Sequence, residues 1–187
     1  IYSSNHELSV AEGQQLANYL TAGGRLYMEG GDTWYYDDPT PVHAMFNIDG
    51  TADGTSDLGT IQGQPNSLGQ GMTFTYSGEN GYIDHIVALS PAVLMFNNVT
   101  PSYGVAVQYN AGTYKTIGTS FEFGGLVNGA SPSVRDSIMA RMMGFFGVLP
   151  VPVELVTFAA SAKENTITLS WSTASEVNNM GFEVERS

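Results

Sequence analysis

Apolar residues recur at helical spacing through Val10, Leu16, Ala17 and Leu20, and Ser9 precedes them with Glu12 three positions later. A serine and a glutamate at that spacing form a capping box, in which the hydroxyl meets an orphan N–H and the carboxylate reaches back. The pattern predicts a helix over residues 10–21, ended by Gly23-Gly24. Arg25-Leu26-Tyr27-Met28-Glu29 follows as a short buried strand, stopped by Gly30-Gly31. Helix, glycine turn, strand and glycine loop together read as one half of a βαβ unit.

Residues 32–71 are rich in turn formers, among them Asp37-Asp38-Pro39, Asp49-Gly50, Asp53-Gly54 and Asn66, and read as loop. Strand patterns return at Met72–Tyr76, His85–Leu89, Val93–Phe96 and Gly104–Tyr109. Asn110-Ala111-Gly112 then supplies a hairpin-type turn before the pattern Tyr114–Phe123. Ser131-Pro132 is expected to open a second helix with Pro at its first position. Val134, Ile138, Met139, Met142, Phe145 and Phe146 would form its apolar face, with Gly147 as its stop. The methionines and phenylalanines here read as core.

Leu149-Pro150-Val151-Pro152 is a stiff, extended linker, and beyond it the pattern changes. Val153–Ala162, Thr166–Trp171 and Phe182–Glu185 alternate as strands, with turns at Lys163-Glu164-Asn165 and Asn178-Asn179. They read as the start of an all-β sandwich that is too short to hold a core alone. Ile1-Tyr2-Ser3-Ser4 resembles the end of a strand, so the chain is expected to be an excised piece. The domains expected are 1–148, a linker at 149–152, and a truncated sandwich over 153–187.

Charge narrows the function. Six basic residues stand against eighteen acidic ones, a formal charge of −12, so there is no basic patch for nucleic acid. The chain has no Cys, which removes disulfides, thiol nucleophiles and thiolate metal sites. No apolar run approaches the ~20 residues of a membrane span. His6, His43 and His85 lack metal-ligand spacing, and no serine lies in a Gly-x-Ser-x-Gly elbow. Asn98-Val99-Thr100 matches a glycosylation sequon and is read as chance.

Seven of the eighteen acids fall between Glu29 and Asp57, with no Lys or Arg among them. Asp49, Asp53 and Asp57 are spaced every four residues with glycines between, a bendable set of hard oxygen donors that could hold calcium. The spacing is not that of an EF-hand, and the alternative is a solvated loop of Asx-turns. Glu29 and Asp32 lie past the end of a strand, where open α/β sheets bind ligands. They could do acid/base work, or Glu29 could cap N–H groups of the glycine turn. Trp34-Tyr35-Tyr36 beside Asp37 and Asp38 could stack on a sugar, or fold back over the sheet edge.

The tail carries Pro152-Val153-Glu154-Leu155, Leu169-Ser170-Trp171, Ser175-Glu176-Val177-Asn178-Asn179 and Gly181–Ser187. It resembles the opening of a fibronectin type III-like domain of the variety preceding the sorting domain of type IX secretion substrates. Residues 19–31, 115–123 and the helix at 132–147 resemble the class I glutamine amidotransferase-like family. That resemblance implies a flavodoxin-like α/β sheet with flanking helices, its upstream strands missing, joined to the truncated all-β sandwich. Active members of that family carry a nucleophilic Cys at the sharp turn and a later His. Here those places read Met28-Glu29-Gly30-Gly31-Asp32 and Ser120-Phe121-Glu122, so no triad can assemble and no catalytic residue is expected.

The function expected is a non-catalytic structural or interaction module of a larger exported bacterial surface protein, extracellular or on the cell surface. Its partners would be neighbouring domains or subunits, with carbohydrate as a further candidate and no nucleic acid. No cofactor is expected unless the acidic loop takes calcium. The alternatives are an accessory domain of a secreted peptidase or carbohydrate-active enzyme, and a calcium- or carbohydrate-binding module.

Overall fold

The computed structural model describes residues 7–148, 155–164 and 166–173. The linker 149–152, the predicted strand at Phe182–Glu185, the tail motif from 174 onward and His6 lie outside the described residues. The chain divides into a unit of residues 1–147 and a smaller one of residues 148–187.

The larger unit begins with helix α1, Val10–Thr21. Its capping box forms as the sequence predicts: the Glu12 N–H donates to the Ser9 Oγ, and the Ser9 N–H donates to the Glu12 carboxylate at 2.9 Å. The buried side of α1 is Gly13, Ala17 and Leu20, whereas Val10 is exposed. Gly13 replaces it on the inner face because the helix runs against Thr40 too closely for any Cβ. Strand β1, Arg25–Glu29, follows as predicted.

The region read as loop holds more structure than its turn formers suggest. A 3-10 turn spans His43–Phe46, and strands β2 (Ile48–Ala52) and β3 (Thr60–Gly63) follow. Then come β4 (Thr73–Tyr76), β5 (His85–Ala88), β6 (Val93–Asn98), β7 (Tyr103–Asn110), β8 (Lys115–Thr119) and the short β9 (Leu126–Val127). Helix α2 runs Arg135–Phe146 and ends on Gly147 at φ 82°. It starts later than expected: Ser131-Pro132 lies in a preceding turn closed by the Ser133 N–H on the Ala130 carbonyl, and Asn128 Oδ1 accepts the Arg135 N–H.

These strands form one curled nine-stranded mixed sheet in the order β1-β8-β7-β6-β3-β4-β9, with β2 joined through β5 to β7. Among the described residues β1 and β8 alone pair in parallel; the other pairings of this sheet are antiparallel. This overturns the expected flavodoxin-like/amidotransferase-like α/β fold with flanking helices. A doubly wound sheet needs a crossover helix for each parallel step. The described residues contain two α-helices of 12 residues each, and hairpin-type antiparallel pairing dominates instead. The fold is mostly β.

Alternation along β1 sorts its side chains to two faces. Tyr27 packs on a large cluster of Phe74, Phe96, Phe121 and Ile117, which Ile138 and Met142 of α2 complete. Leu26 and Met28 pack on a smaller one, where Ala17 and Leu20 of α1 meet Val42 and Phe46. On α2, Ile138 and Met142 are buried while Met139, assigned to the inner face by its spacing, is exposed.

In the smaller unit, β10 (Leu155–Lys163) and β11 (Thr166–Thr173) form an antiparallel two-stranded sheet. The predicted strand pair is there, but no sandwich is assembled among the described residues.

Candidate functional site

The site is built from three backbone segments that converge at the ends of β1, β2 and β5. Asp32 lies in the loop after β1, Asp53 directly after β2, and Asp84 directly before β5. Glycine allows the close approach. A Cβ at Gly31 would strike the Tyr82 carbonyl, and one at Gly54 would strike the Ile83 carbonyl. The Asp84 N–H donates to the Gly31 carbonyl at 2.9 Å, locking the first and third segments together. One carboxylate oxygen from each of Asp32, Asp53 and Asp84 then lies within 4.8 Å of the others.

Asp84 is fully buried. Its Oδ2 accepts the backbone N–H groups of Trp34 and Tyr35, each at 2.8 Å. Among the described residues its Oδ1 has no hydrogen-bond partner, and neither has Asp53 Oδ1, although both atoms are buried. Burial pushes the Asp84 carboxyl up to about 6, against the two N–H donors that pull it down; nearby Asp32 and Asp53 push the same way as burial. Asp32 is also raised, first by burial and then by Asp53 and Glu79. Three like charges at this spacing favour a shared cation or a proton.

The loop fixed by Asp84 carries the aromatic run. Trp34 turns inward: its Nε1–H donates to the Thr119 carbonyl at 2.9 Å and its ring meets Phe46 edge-on. Tyr35 and Tyr36 turn outward, 51% and 71% exposed. A shallow groove beside them is lined by Tyr35, Asp37, His43 and Asp49, among others. Burial lowers the His43 imidazole from its ordinary value, and its Nδ1 accepts the Thr40 N–H at 2.9 Å.

The structure regroups the residues singled out by sequence. Of Asp49, Asp53 and Asp57, only Asp53 belongs to the carboxylate cluster. Asp49 is exposed on β2. Asp57 accepts the Tyr103 hydroxyl at 2.7 Å, and the Tyr103 ring stacks on His85 at 3.5 Å. Glu29 and Asp32 serve different ends: Glu29 Oε2 accepts the Tyr27 hydroxyl and the Phe123 N–H at 2.6 and 2.7 Å. It therefore caps the distant Phe123 N–H and not the glycine turn, whose Gly30 N–H donates to the Thr119 carbonyl. Asn98 of the sequon is fully buried, and its side chain binds Gly59, Asp57 and Pro101 backbone groups, so no glycan can attach in this fold. Asp84 was missed, because it stands 27 residues beyond Asp57 with no acid beside it. The available signal was Gly-Asp and Asp-Gly at Asp32 and Asp53, with a lone acid between Ile83 and a strand.

A mostly-β domain built on a curled mixed sheet is the class these features define. Among solved structures it is similar to the mmIFT52 N-terminal domain, with a TM-score of 0.54 at 15% identity, covering 78% of this chain and 75% of that one. At that identity the likeness concerns the fold alone. It replaces the amidotransferase-like and type IX secretion resemblance drawn from sequence, since the matching structure is neither. No family model and no curated protein matches the sequence. Neither described helix is long and apolar enough to cross a membrane.

Proposed function

We propose that this chain is a non-catalytic interaction module of a larger extracellular or cell-surface protein, and that its 7–147 unit presents the Tyr35–Tyr36 loop to a saccharide. The carrying observation is the division of labour within one aromatic run. Trp34 and the Asp84 bonds hold the loop down, while Tyr35 and Tyr36 stand exposed beside Asp37 and Asp38. A held loop loses little entropy on binding, tyrosine faces stack on sugar rings, and carboxylates accept sugar hydroxyls. The non-catalytic part is supported by the use of Glu29 and Asp57 as acceptors for the protein's own donors.

The test is titration calorimetry of the chain against a panel of neutral oligosaccharides, with Tyr35→Ala and Tyr36→Ala alongside. Saturable binding that weakens at least about tenfold in these variants, with thermal stability retained, supports the reading. No binding across the panel, or binding indifferent to both substitutions, overturns it.

A further inference from the structure

We propose that Asp32, Asp53 and Asp84 form a calcium site that clamps the loop after β1 to the facing ends of β2 and β5. The proposal goes beyond the saccharide reading and does not depend on it. Acidic clusters are common on protein surfaces, so what separates this one is the burial of Asp84 among two half-buried carboxylates. Asp84 is 0% exposed, and its Oδ1 has no donor among the described residues. Asp53 Oδ1 is likewise buried without a donor. A buried carboxylate oxygen without a partner is costly unless something positive or a proton-donating group meets it.

The described Lys and Arg residues of the larger unit are engaged elsewhere. Arg25, Lys115, Arg135 and Arg141, the Lys and Arg residues of the larger unit, donate to backbone carbonyls rather than to these carboxylates. His85 faces Asp57, with 3.8 Å between Nε2 and Oδ1. The charge at the cluster therefore calls for an external cation.

The chemistry of the donors selects its kind. All three are carboxylates, hard oxygen ligands with no nitrogen or sulfur among them, which suits calcium or magnesium rather than zinc or copper. Two oxygens on one calcium stand no further apart than twice the ~2.4 Å bond. The mutual spacing within 4.8 Å brings the three oxygens close to the span that one calcium bridges. Calcium also tolerates irregular geometry and takes its remaining ligands from water and carbonyls, which fits donors from three separate segments. The ion would offset two of the three like charges and cross-link those segments, one of which holds the Trp34 and Tyr35 N–H groups through Asp84.

The experiment uses the full chain stripped of metal, titrated with CaCl₂ by calorimetry and melted in CaCl₂ and in EDTA. The expected result is one calcium per chain and a Tm higher in calcium than in EDTA. Asp32→Asn and Asp53→Asn should each weaken binding at least about tenfold. They keep side-chain shape and leave the Trp34 and Tyr35 bonds intact, so they remain informative if Asp84 variants do not fold. Asp49→Asn and Asp57→Asn should bind as the parent does. Absence of both heat and a Tm shift in the parent overturns the site. So does binding that survives in both Asp32→Asn and Asp53→Asn, or that is lost only in Asp49→Asn or Asp57→Asn.

Discussion

The backbone N–H of Trp34 donates to Oδ2 of Asp84, fifty residues further along the chain, at 2.8 Å. The same oxygen takes the Tyr35 N–H, so one buried carboxylate organises the turn that follows β1. Replacing Asp84 with Ala leaves two amide donors without an acceptor and is expected to destabilise the larger unit by about 2–4 kcal/mol. Asp84→Asn retains an acceptor oxygen and should cost less. Urea unfolding followed by circular dichroism ranks the two variants against the parent.

Gly118 on β8 lies against the Trp34 indole. A Cβ there would stand 2.5 Å from Ile48 Cδ1 and 2.6 Å from Trp34 Cζ2. The indole is held by its bond to Thr119 and cannot easily retreat. Gly118→Ala is expected to cost about 1–3 kcal/mol through overpacking, with a changed Trp34 fluorescence maximum in the folded state. Chemical denaturation with fluorescence detection measures both.

His43 gives the fold a dependence on acid. Burial lowers its folded pKa below the ordinary 6.5, so the folded state favours the neutral ring. Its stability contribution is complete above 6.5 and is lost as the pH falls through the folded pKa, because the unfolded chain takes up the proton first. The difference in Tm between the parent and His43→Gln, in which the carboxylates common to both largely cancel, should shrink as the pH falls below about 6.5. A difference constant from pH 7.5 down to pH 4.5 contradicts this account.

Tyr103 links Asp57 to the stacked His85. Burial first, and then the bond to Asp57 and its charge, hold the phenol far above its ordinary range. Tyr103→Phe keeps the stack but removes the donor, and is expected to cost about 1–2 kcal/mol. Calcium affinity should not change. The variant therefore separates this neighbouring cluster from the Asp32–Asp53–Asp84 group by calorimetry.

Local signals were legible in the sequence and distant ones were not. The Ser9–Glu12 box, the β1 strand and the glycine stop of α2 depend on neighbours a few residues apart, and each formed as read. The helix–strand opening suggested half of a βαβ unit, because nothing in residues 9–31 records that β1 pairs with β8 and that β8 then runs antiparallel to β7. Strand β2 escaped notice because Gly50 and the flanking Asp residues are turn formers. Its glycine serves instead to let the Trp34 carbonyl approach the strand. Regular acid spacing over Asp49, Asp53 and Asp57 drew attention along the chain, while the cluster forms across it. Asp84 joins Asp53 through the pairing of β2 with β5, and Asp32 through the Gly31 carbonyl.

In the absence of a cation the cluster carries unrelieved repulsion. In EDTA, Asp53→Asn removes one of three like charges and is expected to raise Tm above that of the parent. In calcium the order should reverse, because the parent gains binding free energy that the variant loses. Melting both proteins in both buffers checks the crossing.

The most direct measurement is a crystal structure of the full chain grown in CaCl₂, with anomalous data collected at long wavelength. The account predicts one calcium peak bonded to an oxygen of each of Asp32, Asp53 and Asp84 at about 2.3–2.6 Å. Absence of a peak among these carboxylates, or a calcium ion held instead by Asp49 or Asp57, would contradict it.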